Sequence, residues 1–131
     1  MRLLLDTHTF LWLVDANPQL TPLALVILTD PTNDLCLSVA TEWEIAIKSG
    51  MTKLRLARPY RAYVDGAIAR YGLEVLPIDY EDCVAYEALP FPLPGHRDPF
   101  DRMLITQALR LNLDVVGADV SFDAYGVTRH W

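Results

Sequence analysis

Short apolar runs alternate with helical patterns along the whole chain. Leu3 to Leu5 is an apolar run that stops at Asp6, which predicts a short buried strand, and Thr7 to Val14 continues as a helix. Thr21-Pro22 is a helix start, since threonine caps and proline suits the first helical position; this helix runs to about Asp30. Leu35 to Val39 reads as a second strand, followed by a helix from Ala40 to Ser49 that stops at Gly50. Pro59 to Tyr71 is a further helix bounded by Gly72, Leu73 to Ile78 a third strand, and Glu81 to Leu89 a helix. Two prolines and a glycine make Phe91 to Gly95 a loop. Asp98-Pro99 opens another helix that reaches about Leu111, and Asp114 to Ala118 is the fourth strand. A short helical turn is expected after Asp119, with a last strand near Val127.

Strands alternating with helices imply crossover connections and an α/β fold, its parallel sheet covered on both faces. With 131 residues, no internal repeat and no linker-like stretch, a single domain over 1–131 is expected. In such sheets ligands bind beyond the carboxyl ends of the strands, so that edge is where chemistry is sought.

Five acids are candidates for it. Asp6 and Asp119 sit at the ends of the first and fourth strands, and Glu44 lies in the first turns of the helix leaving the second. Asp98 and Asp101 open a helix that enters the fourth strand from the opposite end, so they reach the same edge only if Pro90 to Arg97 climbs back to it. Each acid also has a local explanation. Asp98 before Pro99 is a good cap and Asp101 suits the helix dipole; Thr41-x-x-Glu44 matches a capping box; Asp119 and Asp6 can cap the helices after them. Local caps do not require four acids to converge on one edge. Two unit charges about 4 Å apart repel by roughly 4 kcal/mol at an effective dielectric near 20, so a convergent cluster needs protons or cations. Oxygen donors without cysteine or histidine suit hard cations, Mg²⁺ or Mn²⁺. A water on such an ion can attack a phosphodiester while the metal stabilises the leaving oxygen.

Composition modifies this reading at a few points. An excess of 17 acids over 11 bases, net −6, argues against a nucleic-acid binder unless acids gathered in one site are neutralised by cations. An apolar share of 52% fits a folded globular chain. No apolar window is long enough for a membrane span, and the apolar start is too short for a secretory signal, so a cytoplasmic protein is expected. Cys36 and Cys83 lie in apolar segments and are expected to remain free thiols. His8, His96 and His130 are scattered and make no histidine-rich ligand set.

Four segments together resemble the PIN-domain ribonucleases, most closely the VapC-type toxins of bacterial toxin–antitoxin pairs. They are Leu4 to His8, Ser38 to Lys48 (SVATEWEIAIK), His96 to Ala108 (HRDPFDRMLITQA) and Gly117 to Gly126 (GADVSFDAYG), in the family's order and spacing. The resemblance implies that Asp6, Glu44, Asp101 and Asp119 bind the metal, with Asp98 an additional acid, either a ligand or the helix cap. It also implies a three-layer α/β/α PIN-like fold with a mostly parallel sheet, a homodimer, a cognate antitoxin and an RNA substrate. One departure is Gly117, where the family usually carries Thr or Ser.

Thr7, Lys48, Arg97 and Arg102 are candidate substrate contacts. Lys48, Lys53, Arg55, Arg58 and Arg61 form a basic stretch, read first as a solvated face and second as an RNA path. Trp12 and Trp43 are expected in the core. Leu20, Pro22, Leu23, Val26 and Ile27 make the second helix unusually apolar, with core burial the first expectation and a dimer or antitoxin face the second. A phosphatase using Asp6 as nucleophile is disfavoured because its usual second aspartate is replaced by His8. A dinucleotide site lacks its glycine-rich turn. The remaining alternative is a PIN-fold binding module, catalytically weak or inactive, that acts through a protein partner.

Overall fold

The computed structural model covers residues 1–131. The apolar run at the N-terminus forms β1 (Arg2–Leu5), in which Leu3, Leu4 and Leu5 are fully buried. A strand buried on both faces lies in a sheet covered by helices above and below. β1 lies between β2 (Asp34–Ser38) and β4 (Asp114–Val116). β3 (Glu74–Leu76) adds beyond β2 and β5 (Arg129–His130) beyond β4, giving the all-parallel order β3-β2-β1-β4-β5.

Alternate strand residues point to opposite faces, and two cores result. On one face Leu3, Leu5, Leu35, Leu37 and Val116 meet α1 (Thr7–Val14), α2 (Pro22–Thr29) and α4 (Tyr60–Tyr71) through Phe10, Leu28, Val64 and Ala67. On the other, Leu4, Cys36, Leu76 and Val115 lie under Leu104, Ile105 and Ala108 of α6 (Pro99–Leu111) and Leu89, which follows α5 (Tyr80–Ala88). Each buried leucine contributes about 1.5–3 kcal/mol relative to exposure. α3 (Val39–Gly50) straddles the boundary, giving Ile45 to the first core and Ala40 to the second. The architecture is the expected three-layer α/β/α fold, with a sheet that is wholly parallel.

Several expectations are corrected. The third and fourth strands are shorter, Glu74–Leu76 and Asp114–Val116. The last strand is displaced to Arg129–His130, paired with Val115 and Val116. α3 is capped by Ser38, whose hydroxyl accepts from the Ala40 amide at 3.0 Å, so Thr41 and Glu44 lie inside the helix and form no capping box. A capping box occurs instead at α5, between Asp79 and Asp82. Trp43 is exposed and meets Phe100 edge to face at 5.4 Å. Leu23 and Val26 are also exposed, since α2 is short and buries only Ala24 and Leu28.

α5 runs antiparallel to α6. Arg110, late in α6, pairs with Asp79 and Asp82 at the start of α5, while Arg102, early in α6, donates to the Leu89 carbonyl at its end. The chain is therefore returned to the carboxyl edge by α5, and the loop after it only crosses to α6.

Candidate active site

Asp6 ends β1 beside the end of β4, its amide donating to the Val116 carbonyl at 3.1 Å. Its Oδ1 caps α1 by accepting from the Thr9 amide at 2.7 Å. The rest of the carboxyl rests on Gly117, where a Cβ atom would lie 2.5 Å from Asp6 Oδ2. Glycine at 117 is thus required by this placement of Asp6, which gives the departure from the family pattern a physical cause.

Glu44 is buried and both of its oxygens are engaged. Oε1 accepts from the Thr7 hydroxyl at 2.7 Å and Oε2 from Lys48 Nζ one turn later on α3. Thr7 also lies 3.2 Å from the Thr41 hydroxyl, so its side chain faces the protein interior, where it holds Glu44 in place. Asp98 caps α6 through Oδ1, which accepts from the Phe100 and Asp101 amides at 2.9 Å each. Asp119 caps a 3-10 helix (Val120–Tyr125) by accepting from the Ser121 amide at 2.9 Å. Asp6, Asp98 and Asp119 are therefore caps, and being caps is what fixes them at the carboxyl edge.

The acids act on one another electrically. Burial, then the charges of Asp98, Asp119 and Glu44, push the Asp101 carboxyl up to about 6, against a lowering hydrogen bond from His96. Burial also raises Asp6, opposed by the Thr9 hydrogen bonds and reinforced by Asp119. Desolvation and like charges therefore act on the same two carboxyls, Asp6 and Asp101. The donor atoms that lie within 4.8 Å of one another belong to His96, Asp101 and Asp119. Asp6, Glu44 and Asp98 are outside that group, their oxygens being drawn to Thr9, Thr7 and Lys48, and the α6 amides.

Arg102, a candidate phosphate contact in the sequence, is 2% exposed and cannot meet a substrate at the surface. Its guanidinium donates to the carbonyls of Leu89 and Pro90 and stacks 3.7 Å from the Phe91 ring centre, tying the loop after α5 to α6. Arg97 is exposed. His96, Tyr125 and Arg129 were not singled out by sequence. Arg129 donates to the Gly117 carbonyl at 2.9 Å and pairs with Asp123, and its charge reaches Asp119 and Asp6. His96 had one signal, its place in the same short run as Asp98 and Asp101.

The family model described as PIN domain matches residues 3–127. Among solved structures, the fold is similar to that of VapBC2 from Rickettsia felis, with a TM-score of 0.74 at 16% identity over 99% of this chain and 98% of that one. It is also similar to FitAcB from Neisseria gonorrhoeae, with a TM-score of 0.67 at 20% identity over 98% and 96% of the two chains. VapBC-1 from nontypeable Haemophilus influenzae gives a TM-score of 0.64 at 18% identity over 99% and 97%. No curated protein matches in sequence.

Proposed function

Because the chain belongs to the PIN domain family, we propose that its acidic edge is the active site of a metal-dependent endoribonuclease, the toxin of a toxin–antitoxin pair. The observation that carries this reading is the meeting of acids at one end of the sheet, where donor atoms of Asp101, Asp119 and His96 lie within 4.8 Å of one another and the charges of Asp98, Asp119 and Glu44 push the Asp101 carboxyl up. Such repulsion is tolerated in a working protein where cations enter between the acids.

Asp6, Glu44, Asp101 and Asp119 are the proposed holders of Mg²⁺ or Mn²⁺, and their oxygen donors fit a hard divalent ion. When bound, the ion neutralises charge on a phosphodiester and lowers the pKa of a coordinated water. The chain's own contribution is placement. Thr7 aims Glu44, the Thr9 amide and Gly117 aim Asp6, and Asp98 holds the first turn of α6 that carries Asp101. Lys48, which pairs with Glu44 and is part exposed, offers a positive charge for a phosphate beside the acids. Arg97 offers a second exposed charge. Trp43 and Phe100, each next in sequence to a site acid, offer an aromatic surface for a base flanking the cut.

Leu23, Leu25 and Val26 on α2 form an exposed apolar face proposed for the antitoxin. The similar R. felis VapBC2 structure is bound to a DNA fragment from its promoter. No helix is long and apolar enough to cross a membrane.

The test is incubation of purified protein with total RNA in Mn²⁺, in EDTA, and as Asp101→Asn. Discrete 5′-phosphate ends made only by the wild type with metal support the reading. Metal binding without cleavage of any cellular RNA favours the partner-binding module. Absence of metal binding in a folded protein sinks the mechanism.

A further inference from the structure

His96 sits where the metal reading gave it no role. Its Nε2 lies 3.4 Å from Asp101 Oδ2 and 3.3 Å from the Ser121 hydroxyl, and donor atoms of His96, Asp101 and Asp119 all lie within 4.8 Å of one another. Its Nδ1 lies 2.7 Å from the Tyr125 hydroxyl, which also accepts from buried Arg102 at 3.3 Å. The ring is thus held by one nitrogen and turns the other to the Asp101 carboxylate and the Ser121 hydroxyl.

The two sides differ in what their distances mean. At 2.7 Å the tyrosine contact is a full hydrogen bond. The Asp101 contact, at 3.4 Å, exceeds the roughly 2.7–2.9 Å of a charge-assisted one. With metal–ligand bonds of about 2.1 Å, neighbouring ligands lie about 3.0 Å apart in an octahedron and about 3.4 Å apart in a tetrahedron. The separation of Nε2 and Oδ2 thus lies at the tetrahedral end of the spacing between two ligands of one ion. Histidines that bind metal nearly always anchor the other ring nitrogen on a polar partner, and Tyr125 fills that place.

We propose that His96 Nε2 is a direct nitrogen ligand of a divalent cation held with Asp101 and Asp119, so that the centre prefers transition-metal ions to Mg²⁺. This rests on the metal-dependent reading above. The preference follows from the donor: imidazole suits borderline ions, and affinity rises from Mn²⁺ to Co²⁺, whereas Mg²⁺ takes oxygen. It also gives the 3-10 helix a purpose, since Val120–Tyr125 supplies the hydroxyls of Ser121 and Tyr125 that flank the ring, directly after the ligand Asp119.

The experiment is electron spin-echo spectroscopy of the Mn²⁺-loaded wild type, paired with calorimetric titration of Mn²⁺, Co²⁺ and Mg²⁺ into wild type, His96→Gln and Asp101→Asn. A coordinated imidazole nitrogen modulates the Mn²⁺ echo, and this needs no variant to fold. His96→Gln should weaken Mn²⁺ and Co²⁺ by about tenfold or more, while Mg²⁺ changes little and Asp101→Asn loses all three. Bound Mn²⁺ without nitrogen modulation, or an equal loss for all three ions, overturns the ligand role and leaves His96 a hydrogen-bond donor to Asp101, with the nuclease reading intact. A folded wild type that binds none of the ions overturns both.

Discussion

Gly117 and Asp6 illustrate how one residue's absence of a side chain sets another's position. A Cβ at 117 would lie 2.5 Å from Oδ2 and 2.9 Å from Cγ of Asp6, so Gly117→Ala must turn the carboxyl away and break its cap on α1. A fall in Mn²⁺ affinity of roughly tenfold or more is expected by calorimetry; unchanged affinity would show that Asp6 has a second useful rotamer. Asp101 carries a pH signature of its own. Burial and the neighbouring charges push its carboxyl up to about 6 in the native chain, against near 4 when unfolded. Between these values the native state binds the extra proton, so stability falls as pH rises through the window and the cost is complete above it. In EDTA, Asp101→Asn should flatten the dependence of Tm on pH between about 4 and 6.5 and melt above the wild type at pH 7. A variant that melts lower throughout would contradict this.

Helices α5 and α6 show the opposite use of an acid. Asp82 is fully buried, yet its carboxyl lies below the usual range: the upward push of burial is overcome by hydrogen bonds from the Asp79 amide, Gln107 and Arg110. This acid locks two helices and binds nothing. Asp82→Ala leaves Gln107 and Arg110 short of an acceptor and removes half of the α5 capping box. A loss of about 2–4 kcal/mol is expected in urea unfolding. Added Mn²⁺ should stabilise this variant as much as the wild type, because Asp82 is outside the metal centre. The stretch between α5 and α6 depends on Arg102 in the same structural way, through the carbonyls of Leu89 and Pro90.

Across the whole molecule, the acidic edge and the apolar face of α2 are different surfaces. Ions at the carboxyl edge should raise stability by mass action, by about 2.7 kcal/mol at a hundred times Kd, and Asp101→Asn should abolish that gain. Val26 lies on exposed α2, on the other side of β1 from α6. Val26→Asp should weaken capture of the cognate antitoxin while Tm and Mn²⁺ affinity stay at wild-type values. A change in metal affinity would mean that the two surfaces are coupled.

Much of this architecture was legible in order along the chain. The run Leu3–Leu5 announces a buried strand because only burial on both faces removes the alternation of polar residues. Thr21-Pro22 and Asp98-Pro99 announce helix starts because capping is chemistry between residues two or three apart. Local terms of this kind are written in the sequence itself. Whether a helix residue meets core or solvent depends on what packs against it, so Trp43 and Val26 were misplaced although their helices were not. The apparent Thr41–Glu44 capping box failed for the same reason: Ser38, where β2 ends, took the cap, and Thr7 from another element took Glu44. The contact of Asp6 with Gly117 joins residues 111 positions apart through the β1–β4 register. His96 came to Asp101, Ser121 and Tyr125 only when α5 returned the chain to the carboxyl edge. Sequence alone determined the elements, their order and the kinds of group available. Tertiary structure decided which groups meet, because charge repulsion, desolvation and ligand spacing act through distances that only the packed chain sets.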